Sequence, residues 1–429
     1  MGGAERALLD LIAAVRDARP NWSLDLIAGG AGDFTDAART LAINVHVLPF
    51  PPSLSRLGDA GAGGPAGDGV SATGALARLS LSAPRLAAYV WKLRSVLADR
   101  RPDVIHSNGF KTHILCAWAA PRSSRVIWHV HDYAGARPLM SRLIRAHAGR
   151  CDLAIANSHS VARDLDAVCR GKVAIRTVYN AVDLDRFTPC GPKLDLDALC
   201  ALPPAPPATV RVGLVATMAR WKGQEVFLRA LSLINQKSVG RASVPAISAV
   251  PAIPASPPAM SCIRGYVIGG PIYATRGSQY TIAELRGLAA KIGLNGNIGF
   301  TGYVKDAAAA IRALDIVVHA STQPEPFGLA VAEAMACGKP VIASKAGGVS
   351  EIISENATAL SHSSGDAAAL AACITRLAAD SGLRGRLGVN ARRQAQERFD
   401  RPRLVREVIP MYQQQAWSES SGTGIPAGH

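Results

Sequence analysis

The chain has 429 residues, with 47 Lys plus Arg against 32 Asp plus Glu and a formal net charge of +15. That length predicts two domains, and a positive charge spread over both halves excludes a segregated nucleic-acid-binding region. No run approaches the roughly 18 apolar residues of a membrane span, Glu5 and Asp10 argue against a secretory signal, and eight cysteines without a C-x-x-C pair read as reduced thiols. A cytoplasmic protein is expected, whose basic surface favours anionic small ligands and anionic lipid headgroups alike.

Gly2 and Gly3 lead directly into an amphipathic helix carrying Ala7, Leu8, Leu11, Ile12 and Val15. A glycine pair at a helix start normally follows a strand, as in phosphate-binding turns; no strand precedes this one. Leu24–Ala28 and Val45–Leu48 read as strands, and the Gly/Ala/Ser-rich residues 53–75 as a mobile loop. A basic helix follows from about Ser82 to Arg101, with Arg85, Lys92, Arg94, Arg100 and Arg101. It is an ordinary surface helix or a patch that leans on an anionic membrane.

Asp103–His106 is a short strand that delivers Ser107-Asn108-Gly109-Phe110-Lys111, and Val126–Asp132 is another, with His129 and His131 near its end. Polar groups past the C-terminal end of a strand sit where α/β proteins bind ligands. Ala154–Ser158 and Val178–Asp183 close this half, and proline-rich residues 188–207 read as a linker.

Val210–Val215 opens the second half and ends in a turn carrying Arg220 and Lys222; a lysine there can neutralise a phosphate leaving group. Residues 237–262 are a low-complexity Ala/Pro/Ser insertion, after which Arg264–Ile268 delivers Gly269 and Gly270. Helix 282–292, strand Ile298–Phe300 and Thr301-Gly302-Tyr303 follow.

Ile316–Val318 reads as a strand and Gln323–Pro326 as a break. From Phe327 the apolar residues take helical spacing until Gly338 and Pro340, and Val341–Ala343 is the next strand. Such a helix offers its first backbone N–H groups and its positive dipole end to an anion. Glu325 in the loop and Glu333 in the helix suit the hydroxyls of a sugar or ribose instead, as charge-assisted acceptors. An anion between two hydroxylated rings is the outline of a nucleotide sugar.

These stretches resemble one known family. E-x7-E inside PEPFGLAVAEAMACGKPVIAS, followed by AGGVSE, is similar to the signature of family-4 retaining glycosyltransferases of GT-B fold, also called glycosyl transferases group 1. GGAER at Gly2–Arg6, HSNGFK at His106–Lys111, His131-Asp132, Ala156-Asn157-Ser158, YNAVD at Tyr179–Asp183, Lys222-Gly223, Gly269-Gly270 and FTGYV at Phe300–Val304 resemble it too. The resemblance implies an α/β protein of two facing Rossmann-like domains with the active site in the cleft between them. Residues 1–187 would form the N-terminal acceptor domain, 188–207 a linker and 208–398 the nucleotide-sugar domain; residues 399–417 would form a helix crossing back, and 418–429 a tail.

It further implies that a UDP- or GDP-sugar gives its sugar, with retention, to a glycan or lipid-linked acceptor in polysaccharide biosynthesis, at the inner face of the plasma membrane. Glu325, His131 and Lys222 take the catalytic roles: Glu325 holds sugar hydroxyls, His131 faces the transferred sugar and Lys222 stabilises the departing phosphates. Glu333 holds the ribose, and Arg220, Phe327, Gly328, Leu329, Gly269 and Gly270 complete the donor site. Gly2, Gly3, Asn108 and Lys111 line the acceptor side. No D-x-D pair stands in the usual position, so neither a metal nor another cofactor is expected. No carboxylate obviously serves as a nucleophile on the far face of the sugar, which favours a front-face path.

The chain departs from the family in two ways. The first strand of the N-terminal sheet is missing ahead of Gly2, so that the true start lies upstream or the chain is shortened; unpaired strand edges are the expected result. Thr217 or Ala216 stands where the family has an arginine. Two other readings stay open: a GT-B epimerase acting on nucleotide sugars, and a catalytically impaired protein that only binds them.

Overall fold

The computed structural model describes residues 2–51, 72–242, 262–271 and 277–413. Runs rich in Val, Ile and Ala, buried on both faces, form parallel strands under helices. Helix α1 (Gly3–Ala18) buries Ala7, Leu11, Ala14 and Val15, one stripe at helical spacing. Leu11 and Val15 in that stripe pack on Ile127, Leu153 and Ile155.

Strands β1 (Asp25–Ala28) and β2 (Asn44–Val47) pair with each other. Strands β3 (Val104–Asn108), β4 (Arg125–Val130), β5 (Leu153–Ala156) and β6 (Ile175–Thr177) make a separate four-stranded parallel sheet in that order. Among the described residues no strand joins β1 to β3, and the strands of this half form two separate sheets. Side chains hold the two pieces together. Helix α2 (Ala72–Arg100) sets Tyr89 against Phe50 with ring centroids 5.5 Å apart, and Ile27 and Leu48 pack on the same core as Ile105. Helices α3 (Phe110–Ala119) and α4 (His159–Cys169) follow β3 and β5.

Helix α2 corrects one expectation. Its backbone is helical from Ala72 rather than from about Ser82, because the Ala and Leu residues there are strong helix formers and Pro84 is accommodated inside. The rest of the expected loop, most of the low-complexity insertion and the tail lie outside the described residues.

Six parallel strands make the second sheet: β7 (Val210–Val215), β8 (Ile263–Ile268), β9 (Ile298–Gly302), β10 (Ile316–His319), β11 (Val341–Ser344) and β12 (Ala359–His362). Their order is β12-β11-β10-β7-β8-β9. The direction of winding reverses where β7 meets β10, and the chain segments leaving these two strands diverge there. That is the switch point at which open α/β sheets bind ligands. Helix α5 (Leu329–Ala336) follows β10, with Val331, Ala332 and Ala334 in the core.

Helix α6 (Arg401–Gln413) returns to the N-terminal half, where Leu404, Val408 and Ile409 pack with Leu11 and Val15 of α1. Its Arg401 lies 2.6 Å from Asp10 and 3.0 Å from Asp183. The proline-rich segment between the halves is firmly anchored. Asp197 accepts hydrogen bonds from Arg264 at 2.8 Å and Tyr266 at 2.6 Å, both on β8. Burial opposes its charge, but the Tyr266 and Arg264 bonds prevail and hold its pKa down to about 2.

Candidate active site

The turn after β7 presses against the end of β10. Gly223 there has φ +78°, and a Cβ would meet the Ala320 carbonyl oxygen at 1.8 Å, so only glycine fits. Thr322 N–H donates to the Trp221 carbonyl at 2.8 Å and ties the two turns together. The result is a half-buried pair: Lys222 Nζ donates to Oε1 of the buried Glu325 at 2.6 Å.

The other oxygen of Glu325, Oε2, accepts from His319 Nε2 at 2.7 Å and from Ser321 Oγ at 2.8 Å. Burial pushes the Glu325 pKa up, but the charges of Lys222 and His319 outweigh it and hold the carboxyl well below the usual range. Its backbone is fixed as well. Gly348 N–H donates to the Glu325 carbonyl at 2.7 Å, and Tyr133 Oη donates to the same carbonyl at 3.3 Å. A Cβ on Gly347, whose φ is +68°, would lie 2.5 Å from that oxygen. This is the physical reason for the glycines of AGGVSE.

Gly328, with φ +91°, precedes α5, and no side chain caps the helix start at Leu329. The N–H groups of Val331 and Ala332 already donate to the Gly328 carbonyl at 2.9 and 3.1 Å, which leaves those of Leu329 and Ala330 as the ones a helix start offers to an anion. Phe327 is buried, its ring 5.7 Å from Phe399 and 6.1 Å from Tyr179, so only its backbone is available to a ligand. Gly269 and Gly270 pack against Ala216 and Tyr303. Glu333 is buried, and burial raises its pKa. Its Oε1 accepts from Arg6 Nη1 of α1 at 3.0 Å, a contact between the two halves.

Arg220 is turned to other partners. Its Nη2 donates to Glu284 at 2.7 Å, its Nε donates to the Gly277 carbonyl at 2.9 Å, and its guanidinium lies 4.2 Å from the centre of the Tyr280 ring. None of these groups belongs to the Lys222–Glu325 pair.

Across the cleft His131 directly follows β4. Burial first, then His106, lowers its pKa to about 3, so the ring is neutral. Its Nε2 lies 2.6 Å from Asn108 Oδ1, and Asn108 Nδ2 donates to the Ala4 carbonyl at 3.3 Å. The amide oxygen therefore accepts from Nε2–H, and the lone pair sits on Nδ1, which is buried and has no partner among the described residues. Gly2 caps α1, its N–H donating to Glu5 at 2.7 Å, and Gly3 has open space where a side chain would be. Lys111 lies in the first turn of α3, beside the Asn108 loop.

Two family models cover most of the chain: Glycosyltransferase Family 4 matches residues 1–186 and Glycosyl transferases group 1 matches residues 208–394. The chain belongs to this glycosyltransferase family.

The relatives agree with the family, and the solved structures share its GT-B fold. The chain is 30% identical to the D-inositol 3-phosphate glycosyltransferase of Salinispora arenicola, over 61% of this chain and 54% of that protein. It is 23% identical to the N-acetyl-alpha-D-glucosaminyl L-malate synthase of Bacillus anthracis, over 76% and 78%. The chain thus spans about half the length of the first of these relatives. The crystal structure of Anabaena Alr3699/HepE in complex with UDP-glucose superposes with a TM-score of 0.72, at 23% identity over 96% of each chain.

Sequence reasoning missed several groups that the fold brings to the cleft: Arg6, Tyr133, His319, Ser321 and Glu351. Arg6 and Glu351 stood inside the quoted motifs GGAER and AGGVSE, which was signal enough to single them out. His319 and Ser321 bracket the end of β10 and had no marker beyond their place there.

Proposed function

We propose that the protein transfers a sugar from a nucleoside diphosphate donor, UDP- or GDP-linked, to a hydroxyl of a glycan or lipid-linked acceptor, with retention at the anomeric carbon. The observation that carries this reading is the Lys222–Glu325 pair at the sheet's switch point, with Glu325 buried, beside the uncapped start of α5. Lys222 and the α5 N–H groups stabilise the diphosphate as it leaves, and no metal is invoked. Glu333 takes the ribose hydroxyls. The second lone pair of Glu325 Oε1 accepts from a sugar hydroxyl.

In the proposed step the bond from the anomeric carbon to the phosphate oxygen breaks, and a bond to the acceptor oxygen forms on the same face. The acceptor's proton passes to the leaving phosphate. Glu325 is a poor nucleophile for a double displacement, because three donors already occupy its two oxygens. The UDP-glucose bound by Anabaena Alr3699/HepE supports a uridine donor. Nucleotide release from a panel of UDP- and GDP-sugars tests the reading, with Glu325→Ala as control. Silence from the wild type across the panel, with acceptors supplied, would reject it.

One surface favours a lipid-linked acceptor at a cytoplasmic membrane face. Trp91 is 70% exposed on α2 and edges an apolar groove of about 400 Å³ that Leu86, Val90 and Trp118 line beside Arg94. An aromatic ring between cations suits an anionic bilayer surface. Flotation with anionic vesicles, reduced in Trp91→Ser and absent with zwitterionic vesicles, is the expected result.

A further inference from the structure

A diphosphate leaving group gathers negative charge, and one lysine paired to a carboxylate covers little of it. The cation nearest to Lys222 in sequence, Arg220, is committed to Glu284 and Tyr280. Arg6 stands differently. It reaches across from α1 to Glu333 at 3.0 Å, and its side chain is 41% exposed while that of Glu333 is 5% exposed. One end of this contact is fixed in the core and the other is a long side chain that is partly open to solvent.

We infer that Arg6 is the second cation of the diphosphate site, supplied by the N-terminal half and resting on Glu333 until the nucleotide arrives. This rests on the donor reading above and names a residue that the donor site otherwise lacks. Glu333 lies on α5, the helix whose start faces the phosphates, so a short swing carries the guanidinium from one to the other. Ribose hydroxyls arriving at Glu333 replace the donor that Arg6 withdraws. The guanidinium fork then meets two phosphate oxygens at once, a geometry that a lysine cannot match.

The surroundings leave Arg6 free for this task. The neighbouring carboxylate Asp10 is paired with Arg401. The base of the arm is held in register with the reacting sugar, because the Ala4 carbonyl accepts from Asn108, which also bonds His131. The other cation acting on Glu333, Arg186, lies over the Phe187 ring and donates to the Lys305 carbonyl.

Calorimetric titration of the full chain with uridine, UMP and UDP, and with the guanosine series, tests the assignment. Arg6→Gln should weaken UDP or GDP binding about ten- to hundredfold, the range of a charge-assisted hydrogen bond, and leave nucleoside binding unchanged. Arg6→Lys should recover part of the loss. In a Glu333→Gln background, where no buried carboxylate is left alone, Arg6→Gln should still lower diphosphate affinity by a similar factor; this keeps the test valid if the single variant folds poorly. A wild-type ratio of diphosphate to nucleoside affinity in Arg6→Gln, or tighter binding of both, would overturn the inference and make Arg6 a purely structural partner of Glu333. A wild type that binds neither UDP nor GDP would overturn the donor reading itself.

Discussion

The Glu351 carboxylate of the C-terminal half accepts the backbone N–H groups of His159 at 2.8 Å and Ser160 at 2.7 Å, the first two residues of α4 in the N-terminal half. Tyr179 Oη donates to it at 3.2 Å as well. Glu351 thus caps a helix of the other half, while Ser158 serves the next N–H within its own chain segment. The same short stretch, through Gly348, holds the Glu325 backbone. The contact between the halves and the placement of Glu325 therefore share one short segment, Gly348 to Glu351.

Glu351→Ala should therefore loosen the closed arrangement at a cost of about 1–2 kcal/mol, the scale of a lost helix cap. Small-angle scattering should report a larger radius of gyration, and donor KM should rise more than kcat falls. Unchanged scattering with unchanged KM would remove Glu351 from the mechanism.

Lys222 and Glu325 should behave as a coupled pair in a double-mutant cycle. Lys222→Met or Glu325→Gln alone leaves a partner charge largely buried and should cost about 3 kcal/mol, while the double variant should cost less than the sum. Urea unfolding midpoints measure both. Additive losses would mean that His319 and Ser321, rather than Lys222, hold Glu325.

Stability should fall in mild acid because of the buried histidines. Burial lowers the pKa of His106 to about 4 and that of His131 to about 3, and it lowers His113 and His129 well below the ordinary value. In the unfolded chain these rings titrate near 6.5. Between that value and the folded values the unfolded state binds more protons, so stability is full above about pH 6.5 and drains as pH falls toward 4. Glu333, whose pKa burial raises, acts in the opposite direction. Denaturation at a series of pH values from 7 to 4 should show a steep net loss. A flat profile would mean that the ring cluster admits protons while folded.

Tyr412→Phe tests how that cluster is tied to the returning helix. Tyr412 Oη lies 2.8 Å from His106 Nδ1, and His106 Nε2 lies 3.2 Å from His129 Nδ1. Removing the hydroxyl leaves a buried ring nitrogen unpaired and should destabilise by about 1–3 kcal/mol. Thermal unfolding measures it, and a variant as stable as the wild type would contradict the hydrogen-bonded chain.

What the sequence displayed was local, and what it concealed was partnership. The strand, loop, helix and strand from Ile316 to Ser344 were legible because burial on both faces, a proline-bounded break and helical spacing follow each other within a few residues. Glu325 and Lys222 could be named from the motifs, but not the 2.6 Å contact between them, because 103 positions separate them. Arg220 reads as a phosphate cation from its turn, and the turn does not show that it meets Glu284, 64 residues away. Residues 188–207 looked like a plain linker, since prolines say nothing of Asp197 meeting Arg264 and Tyr266. Arg6 and Glu333 are 327 residues apart, and only the closed fold brings them together.

The most direct test of the central claim is proton NMR of donor turnover, using whichever UDP- or GDP-sugar the protein consumes and following the anomeric signal of the first-formed product. The account predicts nucleotide release with the donor's anomeric configuration kept, lost by about a hundredfold or more in Glu325→Gln while nucleotide still binds. An inverted product, or a Glu325→Gln variant as fast as the wild type, would contradict it.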